Sequence, residues 1–153
     1  MLQIFIVAFI VVLDQVTKYL AKTYLKSMGS VPLIQNVFHF TYVENRGAAF
    51  GILQNQRWFF IALTVVTSVV IAYYLFARKQ ESIVFTIALS MILGGAIGNL
   101  IDRLRLGYVV DMLHFILIDY PVFNVADSCV VIGTMLLAYY VLFIANKKER
   151  RLN

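Results

Sequence analysis

Four long apolar runs dominate the sequence, and they limit the possible fold more than any other feature. A helix that crosses a bilayer needs about 20 predominantly apolar residues. The runs that approach this length are Leu2–Leu25, Trp58–Ala77, Ile83–Ile101 and Val125–Ile144. Hydrophobic residues make up 61% of the 153 residues and charged residues only 14%, which is far from the balance of a soluble domain. We therefore predict an all-α membrane protein of four transmembrane helices, forming a single domain over residues 1–153.

Basic residues at the ends of these runs predict the orientation of the helices. Arg78 and Lys79 lie between the second and third runs, and further basic residues crowd the C-terminal end as Lys147, Lys148, Arg150 and Arg151. Lysine and arginine in short flanking segments are retained in the cytoplasm, so we predict that both termini are cytoplasmic. The first run lacks the basic start and the small-residue cleavage site of a signal peptide. We expect it to remain as the first helix.

The two longer connections, residues 26–57 and 102–124, then face outwards. In the first connection, Asn36–Glu44 alternates with the period of a β-strand. Turn residues flank this segment, with Pro32 before it and Asn45–Gly47 after it. We predict a small extracytoplasmic β-sheet between helices 1 and 2. Between helices 3 and 4 we predict an outer loop that folds back towards the membrane.

The polar residues that interrupt the apolar runs fall near the outer ends of the predicted helices. Charged side chains inside a bilayer are costly, so each needs a partner or a function. Asp14 and Lys18 are four residues apart and share one helical face, as do Asn99 and Arg103. Independent segments therefore bring one set of residues to a single depth: Asp14, Lys18, Asn99, Arg103, Asp111, Asn124 and Asp127.

Several of these positions also have purely structural interpretations. Asp14 and Lys18 alone would form an ion pair that holds the first helix against its neighbours. The segment Asn45–Gly47 alone would be a turn. Structural positions also account for several other residues: Gly94, Gly95 and Gly98 in close helix packing, His39 and His114 at the membrane interface, and Asp102 and Arg105 as solvated charges at a membrane boundary.

Composition argues against several classes of function. The net charge is +5, but the basic residues flank apolar runs and form no surface with interleaved aromatics, so we expect no nucleic-acid binding. The only cysteine is Cys129, which excludes an internal disulfide and a cysteine-built zinc site. The two histidines are isolated and have no third ligand, so we predict neither a metal nor a cofactor.

The aspartates of the outer region suit a different chemistry. Two carboxylates that share a poorly solvated site do not both ionise, because like charge raises the pKa of one of them. One member can then activate a water while the other, protonated, polarises a carbonyl. Such a pair hydrolyses a peptide bond without a metal. The candidates for it are Asp102, Asp111, Asp119 and Asp127, and Asp127 has no basic residue within one turn along the chain.

Five segments together resemble a known family. They are Asp14–Lys18, Glu44–Phe50, Gly94–Arg103, Val109–Asp111 and Phe123–Ser128. These segments are similar, in the same order along the chain, to the signature blocks of lipoprotein signal peptidase, also called signal peptidase II.

The resemblance implies a bacterial membrane aspartyl endopeptidase that needs no cofactor. Such enzymes remove the signal peptide from prolipoproteins, cutting just before a cysteine that carries diacylglycerol, and the cyclic peptide globomycin inhibits them. The resemblance implies Asp111 and Asp127 as the catalytic aspartates. Substrate-binding or supporting roles fall to Asn99, Arg103, Asn124, Asn45, Gly47, Asp14 and Lys18. We expect a monomer in the bacterial cytoplasmic membrane, among membrane lipids, with its active site at the outer face.

Alternative mechanisms and functions stay open on sequence alone. Ser128 with Lys18 would form a Ser-Lys pair, although Ser128 points about 100° away from Asp127 on a helix. Cys129 with His114 would form a thiol-based nucleophile. Outside proteolysis, intramembrane acids and lysines also line the ion paths of transporters, and an assembly factor would fit the same composition.

Overall fold

Four long helices form the framework of the protein. The computed structural model describes residues 1–48, 52–77 and 82–145. In that part of the chain, the helices that are long and apolar enough to cross a membrane are α1 (Leu2–Met28), α2 (Arg57–Ala77), α3 (Ile83–Arg105) and α4 (Val125–Ala145). The prediction of four spanning helices is confirmed. Arg78, Lys79 and the basic tail, from which we predicted the orientation, lie outside the described residues.

Helix α3 is longer than its apolar run. It ends at Arg105 rather than at Ile101, so Asp102 and Arg103 belong to the helix. This extension is possible because both side chains have partners in the folded protein, as described below. Helix α3 is also the central helix, since it packs against α1, α2 and α4.

Glycines on α3 allow its neighbours to approach closely. A Cβ at Gly95 would collide with the carbonyl oxygen of Ala126 on α4, and a Cβ at Gly98 would lie 2.5 Å from Asp14 Oδ2 on α1. Small residues at helix interfaces permit this kind of backbone approach. The structure confirms the packing role predicted for these glycines, and it adds that Gly98 makes room for an acidic side chain.

The outer connections together form one antiparallel sheet of three strands. Its strands are β1 (Ser30–Ile34), β2 (Phe38–Asn45) and β3 (Val109–Phe115), in the order β1-β2-β3. The predicted strand in the first connection is therefore confirmed as β2. Pro32, which we predicted to lie in a turn, lies instead within β1. Because β1 is an edge strand, the missing N–H of proline does not interrupt the sheet.

The connection between α3 and α4 is not only a loop, because it contributes β3. This strand pairs with β2, and Asp111 lies opposite Val43. His39 and His114 also lie opposite each other in these strands. Pairing between β2 and β3 thus joins the two outer connections and brings Asp111 beside the end of β2.

Candidate active site

Asp111 lies on β3 between two asparagine amides. Its side chain is buried at 1% exposure. Asn45 donates from Nδ2 to Asp111 Oδ2 at 2.9 Å, and Asn124 donates from Nδ2 to Asp111 Oδ1 at 2.7 Å. The backbone N–H of Gly47 donates to Asn45 Oδ1 at 2.9 Å, an Asx turn that orients the asparagine. The segment Asn45–Gly47 is thus a turn that also aims a donor at Asp111.

Asp127 is held at the first turn of α4 by a capping box. Asn124 is the N-cap, and its Oδ1 accepts the backbone N–H of Asp127 at 2.8 Å. In return, Asp127 Oδ2 accepts the backbone N–H of Asn124 at 3.2 Å. This reciprocal pattern satisfies two N–H groups that a helix start leaves free. Asn124 therefore links the two aspartates, since the same side chain binds Asp111 and caps the helix that carries Asp127.

Asn99 on α3 provides the next link of this network. Its Nδ2 donates to Asp127 Oδ1 at 2.7 Å. Its Oδ1 accepts from Lys18 Nζ at 2.8 Å and from Asn124 Nδ2 at 3.1 Å. Because a lysine ammonium can only donate, the carbonyl side of the Asn99 amide must face Lys18. The NH₂ group of the same side chain then faces Asp127.

Lys18 is buried, and acceptors occupy all of its donors. Besides Asn99, its Nζ lies 2.9 Å from Asp14 Oδ2 and 3.1 Å from Asp102 Oδ2. An ammonium group has three donors, and the three contacts use all of them. The predicted pairing of Asp14 with Lys18 is present in the structure. Asp14 also accepts the backbone N–H of Ala126 at 3.0 Å, so α1 holds the beginning of α4.

Asp102 is not the solvated boundary charge that we predicted. It is only 3% exposed, because three donors converge on its carboxylate. In addition to Lys18, Gln15 Nε2 lies 3.1 Å from Asp102 Oδ1, and the backbone N–H of Val110 lies 3.0 Å from Asp102 Oδ2. The bond to Val110 positions the strand residue directly before Asp111. This role of Asp102 was not predicted from the sequence. A signal for it was present, because Asn99 and Asp102 are three residues apart and therefore share one face of α3.

A cavity of about 590 Å³ opens beside these residues. We call it the main cavity. Its polar end contains Asn45, Asn99, Arg103, Asp111 and Asp127, while apolar side chains of α2, α3 and α4 form its walls: Phe60, Leu63, Ile71, Ile92, Val130 and Val131. The cavity therefore combines a polar end with an apolar length, as a peptide with hydrophobic side chains would require.

Arg103 lies at the polar end of the main cavity. Its guanidinium is 4.9 Å from the centre of the Phe60 ring, and its Nη2 is 3.4 Å from the carbonyl oxygen of Gly47. These contacts leave part of the planar donor set of arginine available in the cavity. Arg103 is therefore placed to bind a carbonyl oxygen or a carboxylate there.

Burial changes the protonation of Asp111. Loss of solvation raises the pKa of Asp111 to about 7, and the negative charge of Asp127 acts in the same direction. The hydrogen bonds from Asn45 and Asn124 oppose this rise. A raised pKa on one member is what allows a carboxylate pair to share a proton near neutral pH.

Asn45→Ala is expected to move the alkaline limb of the pH–activity profile to higher pH. The lost hydrogen bond favours the ionised carboxylate, so without it the pKa of Asp111 rises. Protonated Asp111 then persists to higher pH. The measurement is kcat/KM against pH, whose apparent pKa values belong to the aspartate pair. Gln35→Ala, in the exposed turn between β1 and β2, is the matched control. A shift to lower pH would contradict this prediction.

Ser128 and Lys18 do not form the Ser-Lys pair considered above. Ser128 Oγ donates to the carbonyl oxygen of Asn124 at 2.9 Å. Lys18 uses its donors on Asp14, Asp102 and Asn99 and makes no hydrogen bond to Ser128 within the described residues. A lysine held as an ion-paired ammonium has no lone pair with which to act as a base.

Comparison with known proteins identifies the family. The family profile described as signal peptidase (SPase) II matches residues 6–143. A lipoprotein signal peptidase from Caldanaerobacter subterraneus subsp. tengcongensis is 56% identical over 140 residues, which cover 92% of this chain and 95% of the relative. The chain belongs to the lipoprotein signal peptidase family. Signal peptidase II enzymes are aspartic peptidases, so the transporter and assembly-factor interpretations are set aside.

Another member and two solved structures agree with this assignment. The lipoprotein signal peptidase of Clostridioides difficile is 48% identical over 149 residues, covering 97% of this chain and all of the relative. A bacterial membrane enzyme solved by the in meso method at 2.3 Å resolution superposes with a TM-score of 0.88 at 37% identity, covering 96% of this chain and 92% of that one. A second, at 1.9 Å resolution, has a TM-score of 0.84 at 35% identity, with 94% of each chain covered. This signal peptidase II is thus a multi-pass membrane enzyme.

Proposed function

We propose that this signal peptidase II cuts diacylglyceryl-modified prolipoproteins just before the lipidated cysteine, with Asp111 and Asp127 as its catalytic pair. The observation that carries this proposal is the shared amide of Asn124, which binds one carboxylate and caps the helix of the other. Both carboxylates also line the polar end of the main cavity. Asp111 is buried and Asp127 is half-buried, so a peptide bond at this end of the cavity would meet two poorly solvated acids.

The two aspartates have different roles in hydrolysis, one as a base and the other as an acid. The ionised member removes a proton from water as the water oxygen attacks the carbonyl carbon. The protonated member donates to the carbonyl oxygen and stabilises the tetrahedral intermediate. The C–N bond then breaks as the carbonyl re-forms. The hydroxyl proton of the intermediate returns to the aspartate that donated it, and the amine of the new N-terminal cysteine takes up the proton that came from water. Asn99 and Asn124 keep the pair oriented throughout these steps.

The remaining residues bind and position the substrate. Arg103 donates to peptide carbonyls within the main cavity. Asn45, oriented by the N–H of Gly47, lies at the polar end of the cavity beside the scissile bond. Asp14 and Lys18 act indirectly, because they hold Asn99 and the start of α4. No metal or cofactor takes part in this proposal.

The lipid of the substrate determines where the site must lie. A diacylglyceryl group keeps the modified cysteine at the level of one leaflet, and the signal peptide crosses the bilayer from there. A site at the outer face of the bacterial cytoplasmic membrane meets both requirements. The basic segments that the sequence assigns to the cytoplasm agree with this orientation. We further propose that a single copy of the chain is active.

Incubation of the purified protein with a diacylglyceryl-modified prolipoprotein tests this function. We expect a gel shift to the mature lipoprotein, which globomycin blocks and a metal chelator leaves unchanged. The same precursor without its lipid is the control, and we expect little cleavage of it. Failure to cleave the lipidated precursor in detergent or in vesicles would refute the proposed function. Inhibition by the chelator would refute the metal-free mechanism.

A further inference from the structure

A second cleft, of about 370 Å³, also reaches Asp127. We call it the lateral groove. It shares Tyr120, Phe123, Asp127 and Val131 with the main cavity. The side chains that belong to the lateral groove alone are Phe115, Ile118, Ser128 and Ile132. Two separate clefts therefore converge on one of the proposed catalytic carboxylates.

Helix α4 forms the partition between the two clefts. Successive residues of a helix are rotated by about 100°. Val130 lines only the main cavity and Ile132 only the lateral groove, and these side chains point about 160° apart by the same rotation. Asp127 and Val131 lie between these directions and line both clefts. One helix thus presents a different face to each cleft, with the carboxylate at the boundary.

The lateral groove has mostly apolar walls, which suit a hydrocarbon chain. Its walls are mostly aromatic rings and isoleucines, and the hydroxyl of Ser128 already donates to the carbonyl oxygen of Asn124. Ile118 is 68% exposed and Ile132 49% exposed at its rim. Beyond the rim, the surface continues along α4 through Met135, which is 65% exposed. The groove is therefore continuous with the surface of a transmembrane helix that faces lipid.

We propose that the lateral groove binds one acyl chain of the diacylglyceryl group while the main cavity holds the signal peptide. This proposal rests on the proposed function, because that substrate has two apolar parts that diverge from neighbouring residues. The signal peptide precedes the scissile bond, and the acyl chains hang from the cysteine that follows it. The main cavity contains the donors Asn45 and Arg103, which suit a peptide backbone. The lateral groove supplies apolar surface directly beside Asp127, where the lipidated cysteine must lie.

Ile132→Trp tests the groove by filling it. We expect KM for a long-chain diacylglyceryl precursor to rise about tenfold, the equivalent of losing the burial of about two methylene groups. The reaction of bound substrate, and therefore kcat, should change much less. For a short-chain precursor, KM should be nearly the same in variant and wild type, because a short chain does not reach the filled part. Met135→Trp adds the same bulk to the same helix outside both clefts and should leave both substrates unaffected.

The outcomes separate this proposal from the proposed function. If the wild type cleaves the precursor and Ile132→Trp shows unchanged KM for the long-chain form, the groove assignment fails while the function stands. Equal losses in Ile132→Trp and Met135→Trp would also overturn the assignment. If the wild type does not cleave the precursor, the proposed function itself fails.

Photocrosslinking provides a second test that does not depend on the folding of the tryptophan variant. A precursor with a diazirine in its acyl chain is bound to the Asp111→Asn protein and irradiated. We expect adducts on Phe115, Ile118 and Ile132, which line only the lateral groove. Adducts mainly on Leu63 and Thr67, which line only the main cavity, would overturn the proposal. So would adducts spread evenly over the lipid-facing helices.

Discussion

Replacing either Asp111 or Asp127 by asparagine is expected to lower kcat for a lipidated precursor by about 10²–10⁴-fold or more, since each variant removes one partner of a general acid–base pair. An asparagine keeps the size of the aspartate and one of its two acceptor oxygens, but it neither removes a proton from water nor donates one as an acid. Single-turnover cleavage by purified protein is the measurement. Thermal unfolding in the same detergent should change little, because the loss of hydrogen bonds to a carboxylate is offset by relief of its desolvation.

Asp119→Asn is the matched control for this pair of variants. Asp119 is exposed and lies in the left-handed region with a φ of 49°, a conformation that asparagine also adopts readily. We expect normal cleavage. If Asp111→Asn or Asp127→Asn cleaved at a rate close to that of Asp119→Asn, the substituted aspartate would not belong to the catalytic pair.

Lys18→Met is expected to destabilise the protein by about 3–5 kcal/mol, the range for breaking a buried ion pair by removing one partner. Lys18 is 3% exposed, and its ammonium contacts both Asp14 and Asp102. Methionine preserves the apolar stem but leaves two buried carboxylates close together without a cation. Asn99 also loses the donor that orients its amide towards Asp127. We therefore expect a large fall in the unfolding temperature together with loss of cleavage.

Lys26→Met is the matched control for this substitution. Lys26 pairs with Glu44 at 2.9 Å, but its side chain is 54% exposed, and exposed ion pairs contribute little to stability. We expect almost no change in the unfolding temperature. In the double variant Lys18→Met with Asp102→Asn, one of the two carboxylates that lack a cation is removed. This variant should recover part of the lost stability. Equal effects of Lys18→Met and Lys26→Met would mean that the buried cluster does not stabilise the fold.

The sequence by itself determined the features that depend on local patterns. Helix length and apolarity predicted the four spans, because a bilayer requires about 20 apolar residues from each helix. Helical spacing predicted the contact between Asp14 and Lys18. Strand-like alternation predicted β2, and the family signature segments predicted which polar residues would gather around one site.

Only the tertiary structure decided how the outer connections are joined. Strand β3 pairs with β2 across more than 60 residues of chain, as in the pairing of Val43 with Asp111, and no local pattern reports such a contact. Asp102 looked like a solvated charge because its neighbours in sequence mark the end of a helix. Its true environment is formed by Lys18 on α1 and Val110 on β3. Burial of a charge depends on groups that are remote in sequence, so it becomes visible only once the chain has folded.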